Sequence, residues 1–74
     1  MRMQLEGTIA YHAMGTGAWA LVTASGETYE LYKLPSQLQV EGLQVIVQGQ
    51  VRQDIMTLAM IGPVLEVEQG QPRS

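Results

Sequence analysis

The chain contains no cysteine among its 74 residues and only one histidine. A chain this short therefore has neither a disulfide nor a cysteine-based metal site to stabilise it, and hydrophobic packing with a closed hydrogen-bonded sheet must do so. No apolar run approaches the ~20 residues of a membrane span. Glu6 and Gly7 stand where a signal peptide would need apolar residues. We therefore expect one soluble, cytoplasmic domain.

Basic residues are also scarce. Seven acidic residues against four basic ones give a net charge of −3. This balance opposes long-range attraction to nucleic-acid phosphates, which normally requires a basic patch. Nine glutamines solvate much of the surface without adding ions.

Alternation of apolar and polar residues with a period of two recurs five times, whereas helical spacing is rare. Such alternation predicts β-strands with one buried face. The runs lie at residues 3–13, 18–24, 28–33, 41–52 and 55–68, the last of them bent at Gly62-Pro63. Trp19 and Leu21 fall on the predicted core side of the second run, and Tyr29 and Leu31 on that of the third.

The segments between the runs define their order. Ser25–Glu27 predicts a hairpin turn between the second and third strands, and Pro35 opens a short helical turn before the fourth. Three strands, a helical connector and two further strands are the order of an OB-fold. We therefore predict an all-β, five-stranded Greek-key OB-fold barrel over residues 1–69, followed by a flexible polar tail at residues 70–74.

One glycine interrupts an apolar series. Gly49 stands in line with Val45, Val47 and Val51 in the fourth run. Glycine weakens a strand, but it removes a side chain where a small barrel curves most tightly. We expect Trp19 or Tyr29 to lie over the space that Gly49 leaves.

The segments GTIAYHAMGTGAWALVTASGETYELYKLP, EGLQVIVQGQV and IGPVLEVE resemble small, uncharacterised bacterial OB-fold proteins, including cyanobacterial ones. They are also similar to the OB domain of some envelope lipoproteins. The resemblance covers Gly7 to Glu68 and implies the fold, but it carries over no catalytic residue. This chain has no lipobox cysteine, so the lipoprotein setting does not transfer.

No residue constellation indicates catalysis. His12 has no predicted partner, and a general base must be positioned by one. Glu66 and Glu68 share a face, but a hard-cation site recruits more oxygens than these. The glycines of Met14–Gly17 precede a strand rather than the helix that a phosphate loop requires. We expect no enzyme activity, no metal and no cofactor.

Binding by the face of strands 2 and 3 is the remaining question, because OB-folds bind oligonucleotides there. With the large side chains in the core, this face keeps a single aromatic residue, Tyr32, and carries Glu30 at its centre. Single-strand binders need several stacking aromatics and a positive groove.

Small apolar residues on this face instead favour contact with a protein. We predict a non-catalytic module for protein–protein interaction or assembly, including self-association. The predicted interaction face consists of Ala18, Ala20, Val22, Tyr32 and Ile46. The alternative is binding of single-stranded nucleic acid or a small ligand by Tyr32, Lys33, Arg52 and His12, together with the Met14–Gly17 loop.

Overall fold

A computed structural model describes residues 2–13, 15, 17–55 and 61–73 of the chain. It contains five strands and one 3-10 turn, as the alternation and the proline predicted. The strands are β1 (Arg2–His12), β2 (Ala18–Thr23), β3 (Thr28–Tyr32), β4 (Gln44–Arg52) and β5 (Val64–Pro72). The 3-10 turn, Ser36–Leu38, lies between β3 and β4. Within these described ranges, no helix is long and apolar enough to cross a membrane.

The strands form a closed ring of hydrogen-bonded neighbours in the order β1-β2-β3-β5-β4. All neighbours are antiparallel except β3 and β5, which run parallel. The ring closes because β1 is long enough to serve two partners. Its residues Arg2–Thr8 pair with β4, and its residues Gly7–His12 pair with β2.

The core lies inside the ring, on the face that the alternation predicted. Leu21 and Leu31 are buried there, while Trp19 and Tyr29 are half-buried and pack against the core. Both aromatic rings therefore contribute to the core without being enclosed by it. Tyr11 is 41% exposed and packs against Trp19 with ring centroids 4.8 Å apart.

Gly49 is buried in line with the core residues of β4, but the expected aromatic partner is wrong. A Cβ at this position would meet backbone atoms of β5, with the carbonyl carbon of Glu66 at 2.9 Å and the Cα of Val67 at 3.2 Å. The β4–β5 register shifts between Gln48 and Gly49, which marks a bulge. Close approach of two backbones, and not an overlying ring, excludes a side chain here.

The last strand lies further along the chain than predicted. Ile55 and residues 61–63 are not in a strand, and residues 56–60 of the expected run lie outside the described residues. β5 instead continues through residues 70–72, which the polar composition had assigned to a flexible tail. Pro72 pairs with Val45, and the N–H of Arg73 donates to the carbonyl of Gln44 at 2.8 Å. Pairing with β4 determines where this strand ends, and polarity does not.

Candidate functional site

The ends of three strands bring an exposed aromatic ring beside a group of charges. Tyr32 ends β3 and is 39% exposed. Its strand partner on β5 is Glu66. Lys33 follows with a left-handed backbone, φ 62°, and its Nζ lies 5.5 Å from the centroid of the Tyr32 ring. This geometry is a cation–π contact.

Arg52, at the end of β4, joins the charges of this region. Its Nε and Nη2 donate to the two carboxylate oxygens of Asp54 at 2.9 and 2.6 Å. Its Nη1 donates to Oε1 of Glu66 at 2.5 Å, and the other oxygen of Glu66 lies 3.7 Å from the Nζ of Lys33. We call Tyr32, Lys33, Arg52, Asp54 and Glu66 together the Tyr32 patch.

Arg52 and Asp54 of the Tyr32 patch stabilise each other's ionised forms. The hydrogen bonds from Arg52 lower the pKa of the Asp54 carboxyl below its ordinary value. The hydrogen bonds to Asp54, and next those to Glu66, raise the pKa of the Arg52 guanidinium. The patch therefore carries two positive and two negative charges at neutral pH and has no net charge.

The remaining two basic side chains of the chain are also paired. The Nε of Arg2 lies 2.7 Å from a carboxylate oxygen of Glu68, and the Nε of Arg73 lies 3.4 Å from one of Glu6. Because the sequence has only four basic residues, every lysine and arginine of this protein contacts a carboxylate.

The predicted interaction face does not form one continuous surface. Ala20 is fully buried, so its place on an accessible face is wrong. Its β3 partner Glu30 is only 7% exposed, which means that the outer side of the sheet is covered at this point. Alternation assigns a residue to a side of the sheet, but it does not reveal what covers that side.

The other predicted members are spread around the ring. Val22 is 37% exposed near the far end of β2 from Ala18. Ile46 is half-buried on β4, between Glu6 of β1 and Gln71 of β5. Ala18 is half-buried at the start of β2 and pairs with His12. Tyr32 is the member that lies in a cluster of paired charges.

The alternative ligand set is partly assembled. Tyr32, Lys33 and Arg52 meet in the Tyr32 patch, whereas β2 separates His12 from β3. Met14 and Thr16 of the proposed loop lie outside the described residues. The sequence reasoning missed Asp54 and Glu66 as members. The two-residue spacing of Arg52 and Asp54 was a visible signal, but the contact with Glu66 depends on the β4–β5 register, which no local pattern specifies.

A second feature is an uncharged row on the outer face of β1, β4 and β5. The side-chain amide of Gln69 donates to that of Gln48, which donates to that of Gln4, each at 3.0 Å. Beside the row, Ile46 and Gly70 line a shallow depression of about 200 Å³. The row presents hydrogen-bonding groups without formal charge.

Among the residues that the structure describes, no group of three or more His, Cys, Asp or Glu side chains is placed to hold a metal ion. No protein-family model matches the chain, and neither a curated protein nor a solved structure matches it. The case for function therefore depends on the geometry above.

Proposed function

We propose that the ring is a five-stranded Greek-key OB-fold barrel and that it acts as a non-catalytic protein-binding module. The strand order, the single parallel contact between β3 and β5, and the 3-10 turn between β3 and β4 support the fold. Fold alone does not imply function. The Tyr32 patch is the feature that supports the function.

The composition of the Tyr32 patch is typical of protein interfaces. Binding energy in such interfaces concentrates in tyrosine, tryptophan and arginine side chains surrounded by residues that exclude water. Tyr32 presents an exposed ring beside Lys33, and Glu66 links Lys33 to Arg52. The two carboxylates compensate the two cations. A partner can cover Tyr32 without leaving an unpaired charge buried, which would be costly.

Oligonucleotide binding is the second candidate, because Tyr32, Lys33 and Arg52 do lie together. Arg52 is held by Asp54 and Glu66, and the negative charges of these two carboxylates repel a phosphate that approaches the same guanidinium. Single-strand binders gain roughly 1–3 kcal/mol from each stacked base, and the patch offers one ring. These contacts favour a protein partner.

The test compares Tyr32→Ala with the control Val40→Ala. Val40 is 53% exposed just after the 3-10 turn, so both variants remove an exposed apolar side chain. The immobilised wild type and both variants would be used to capture proteins from the native cell, with quantification by mass spectrometry. We expect a partner that the wild type and Val40→Ala retain and that Tyr32→Ala loses. Val22→Glu extends the comparison to the far end of β2.

A titration with labelled oligo-dT at low salt tests the second candidate. Tight binding that weakens steeply with added salt, and that Tyr32→Ala abolishes, would overturn the proposal in favour of nucleic acid. Equal capture by all variants would remove the Tyr32 patch as the protein-binding site.

A further inference from the structure

The first five residues of β1 form an open strand edge. Residues 2–8 pair with β4 on one side, but pairing with β2 on the other side begins only at Gly7. Among the described residues, no strand pairs with residues 2–6 on that side. Strand edges of this kind are templates for pairing with another chain.

Alternation of the backbone identifies the groups at this edge. The N–H of Ile9 donates to the carbonyl of Leu43, and the carbonyl of Ile9 accepts from the N–H of Gly42, both at 2.8 Å on the β4 side. Backbone groups of a strand point to alternate sides, so Met3 and Leu5 also point towards β4. The N–H and C=O groups of Arg2 and Gln4 and the N–H of Glu6 therefore point to the open edge, whereas the C=O of Glu6 lies where the pairing of Gly7 with Thr23 begins. All three residues are exposed.

We propose that a second copy of this chain pairs antiparallel with this edge, in a twofold arrangement centred on Gln4. The proposal goes beyond the protein-binding function proposed above, because it adds a second surface and names the partner that this surface binds. In this register Gln4 faces its own counterpart, and Arg2 faces Glu6 of the second copy on both sides of the axis. Directly opposite residues of an antiparallel pair can exchange both backbone hydrogen bonds. The register thus gives a backbone partner to the N–H and C=O groups of Arg2 and Gln4 and to the N–H of Glu6.

The side chains favour the same register. Arg2 and Glu6 have opposite charges, and opposite charges directly across an antiparallel pair are attractive. Proteins that block an edge place charges there that repel a second edge, whereas this edge is complementary to itself. The self-complementarity offsets the repulsion expected between two chains of net charge −3.

The contacts that Arg2 and Glu6 make within the chain do not prevent this pairing. Arg2 contacts Glu68 and Glu6 contacts Arg73, and these pairs are exposed to solvent. Exposed ion pairs hold their geometry weakly, so the side chains can turn to a second copy. On the inner side, the half-buried Met3 would face Leu5 of the second copy, which extends both cores across the junction.

Charge reversal tests the register. We expect the wild type to form a dimer in sedimentation equilibrium, and Arg2→Glu to raise the dissociation constant by about tenfold or more, because two attractive contacts become repulsive. Glu6→Arg should do the same. The double exchange, Arg2→Glu with Glu6→Arg, should restore the dimer, and a mixture of the two single variants should form heterodimers. Glu68→Gln is the control, since it removes the ion pair of Arg2 within the chain and leaves residues 2–6 unchanged.

Backbone pairing is tested separately at Gln4. Gln4→Pro removes an N–H that faces the open edge. The substitution leaves the backbone hydrogen bonds between β1 and β4 in place, because the N–H of Gln4 does not donate to β4. Gln4→Ala keeps that N–H but loses the same side-chain contact with Gln48. We expect Gln4→Pro to be monomeric and Gln4→Ala to be dimeric. In the wild type, the amides of Gln4 and Glu6 should exchange hydrogen more slowly at high protein concentration, whereas that of Leu5 should be protected at every concentration.

A wild type that is monomeric at all concentrations would overturn this proposal. The proposal would also be overturned if the single charge reversals left the dissociation constant of the dimer unchanged, or if the double exchange did not restore the dimer. These outcomes decide the proposal even where Gln4→Pro fails to fold. None of these results concerns the Tyr32 patch, because partner capture by that patch is measured with Tyr32→Ala and Val40→Ala. Steep, salt-sensitive oligonucleotide binding would instead refute the protein-binding function.

Discussion

Gly49→Ala offers the sharpest test of how the ring is packed. No positive φ is found at Gly49, so alanine can adopt its backbone conformation. The added methyl would lie 2.9 Å from the carbonyl carbon of Glu66 and 3.2 Å from the Cα of Val67, where ordinary contacts are 3.4–4 Å. These atoms belong to the β5 backbone, which has no rotamer to change. To make room for the methyl, β4 and β5 would have to move apart within a pairing that joins eight pairs of residues.

Such overpacking costs about 3 kcal/mol. A chain of 74 residues has a total stability of about 4–11 kcal/mol, so the loss is a large part of it. For a domain of this size, 3 kcal/mol lowers the melting temperature by roughly 12–24 °C. Thermal unfolding followed by circular dichroism measures this difference.

Gly70→Ala provides the matched comparison. Its added methyl would meet the side chains of Leu38 at 2.9 Å and Val47 at 3.0 Å, in addition to the Ile46 carbonyl at 3.3 Å. Side-chain tips can shift, so we expect a cost of about 1 kcal/mol. If Gly49→Ala melts within about 4 °C of the wild type, or no lower than Gly70→Ala, the close approach of β4 and β5 is refuted.

Three further predictions follow from burial, charge and backbone conformation. Ala20→Glu places a second carboxylate opposite the buried Glu30 and should lower the free energy of unfolding by about 3 kcal/mol or more. Val22→Glu, at an exposed position, should change the free energy of unfolding by only about 0.5 kcal/mol. Equal urea midpoints for the two variants would contradict this. The pKa of Asp54 is lowered in the folded protein. The Asp54 carboxylate therefore stabilises the folded protein above the ordinary pKa of aspartate, and this stabilisation is lost as the pH falls through the lowered pKa. Asp54→Asn should therefore be less stable than the wild type at neutral pH, with a difference that shrinks below about pH 4; a constant difference across the pH range would contradict the pairing. Lys33 has a left-handed backbone, which asparagine tolerates and a β-branched residue does not. A left-handed backbone costs a β-branched residue about 1 kcal/mol more, so Lys33→Val should melt roughly 4–8 °C below Lys33→Asn. The opposite order of melting temperatures would refute the argument.

Alternation in the sequence was sufficient to place β1 to β4, because each has one face against a core. It placed residues 64–68 in the last strand, where β5 has them, but it missed the end of β5, because the polar residues 69–72 continue the strand. These residues are in a strand because β4 pairs with them, and pairing is a relation between distant segments that composition does not record. The same reason applies to Gly49. Its position in the apolar series was evident from the sequence, but its neighbour on β5 depends on strand pairing and was not.

The candidate site was predictable in part for a related reason. Alternation identified Tyr32 as an outward residue, and neighbouring basic residues identified Lys33 and Arg52. Glu66 comes beside them only through the parallel contact of β3 with β5 and the bulged pairing of β4 with β5. Its carboxylate converts a set of cations into a patch without net charge. The sequence therefore indicated the members of a basic site, and the pairing of strands changed its electrostatic character.

Salt dependence separates protein association from phosphate binding in this molecule. Phosphate binding releases counterions, so it weakens steeply as salt rises. Pairing of two copies through β1 has opposing contributions, because salt screens both the Arg2–Glu6 attraction and the repulsion between two chains of net charge −3. We expect the dimer dissociation constant to change little with salt, since the backbone hydrogen bonds at the edge carry no formal charge. A dimer that dissociates as steeply with salt as an oligonucleotide complex would mean that charge, and not the strand edge, holds it together.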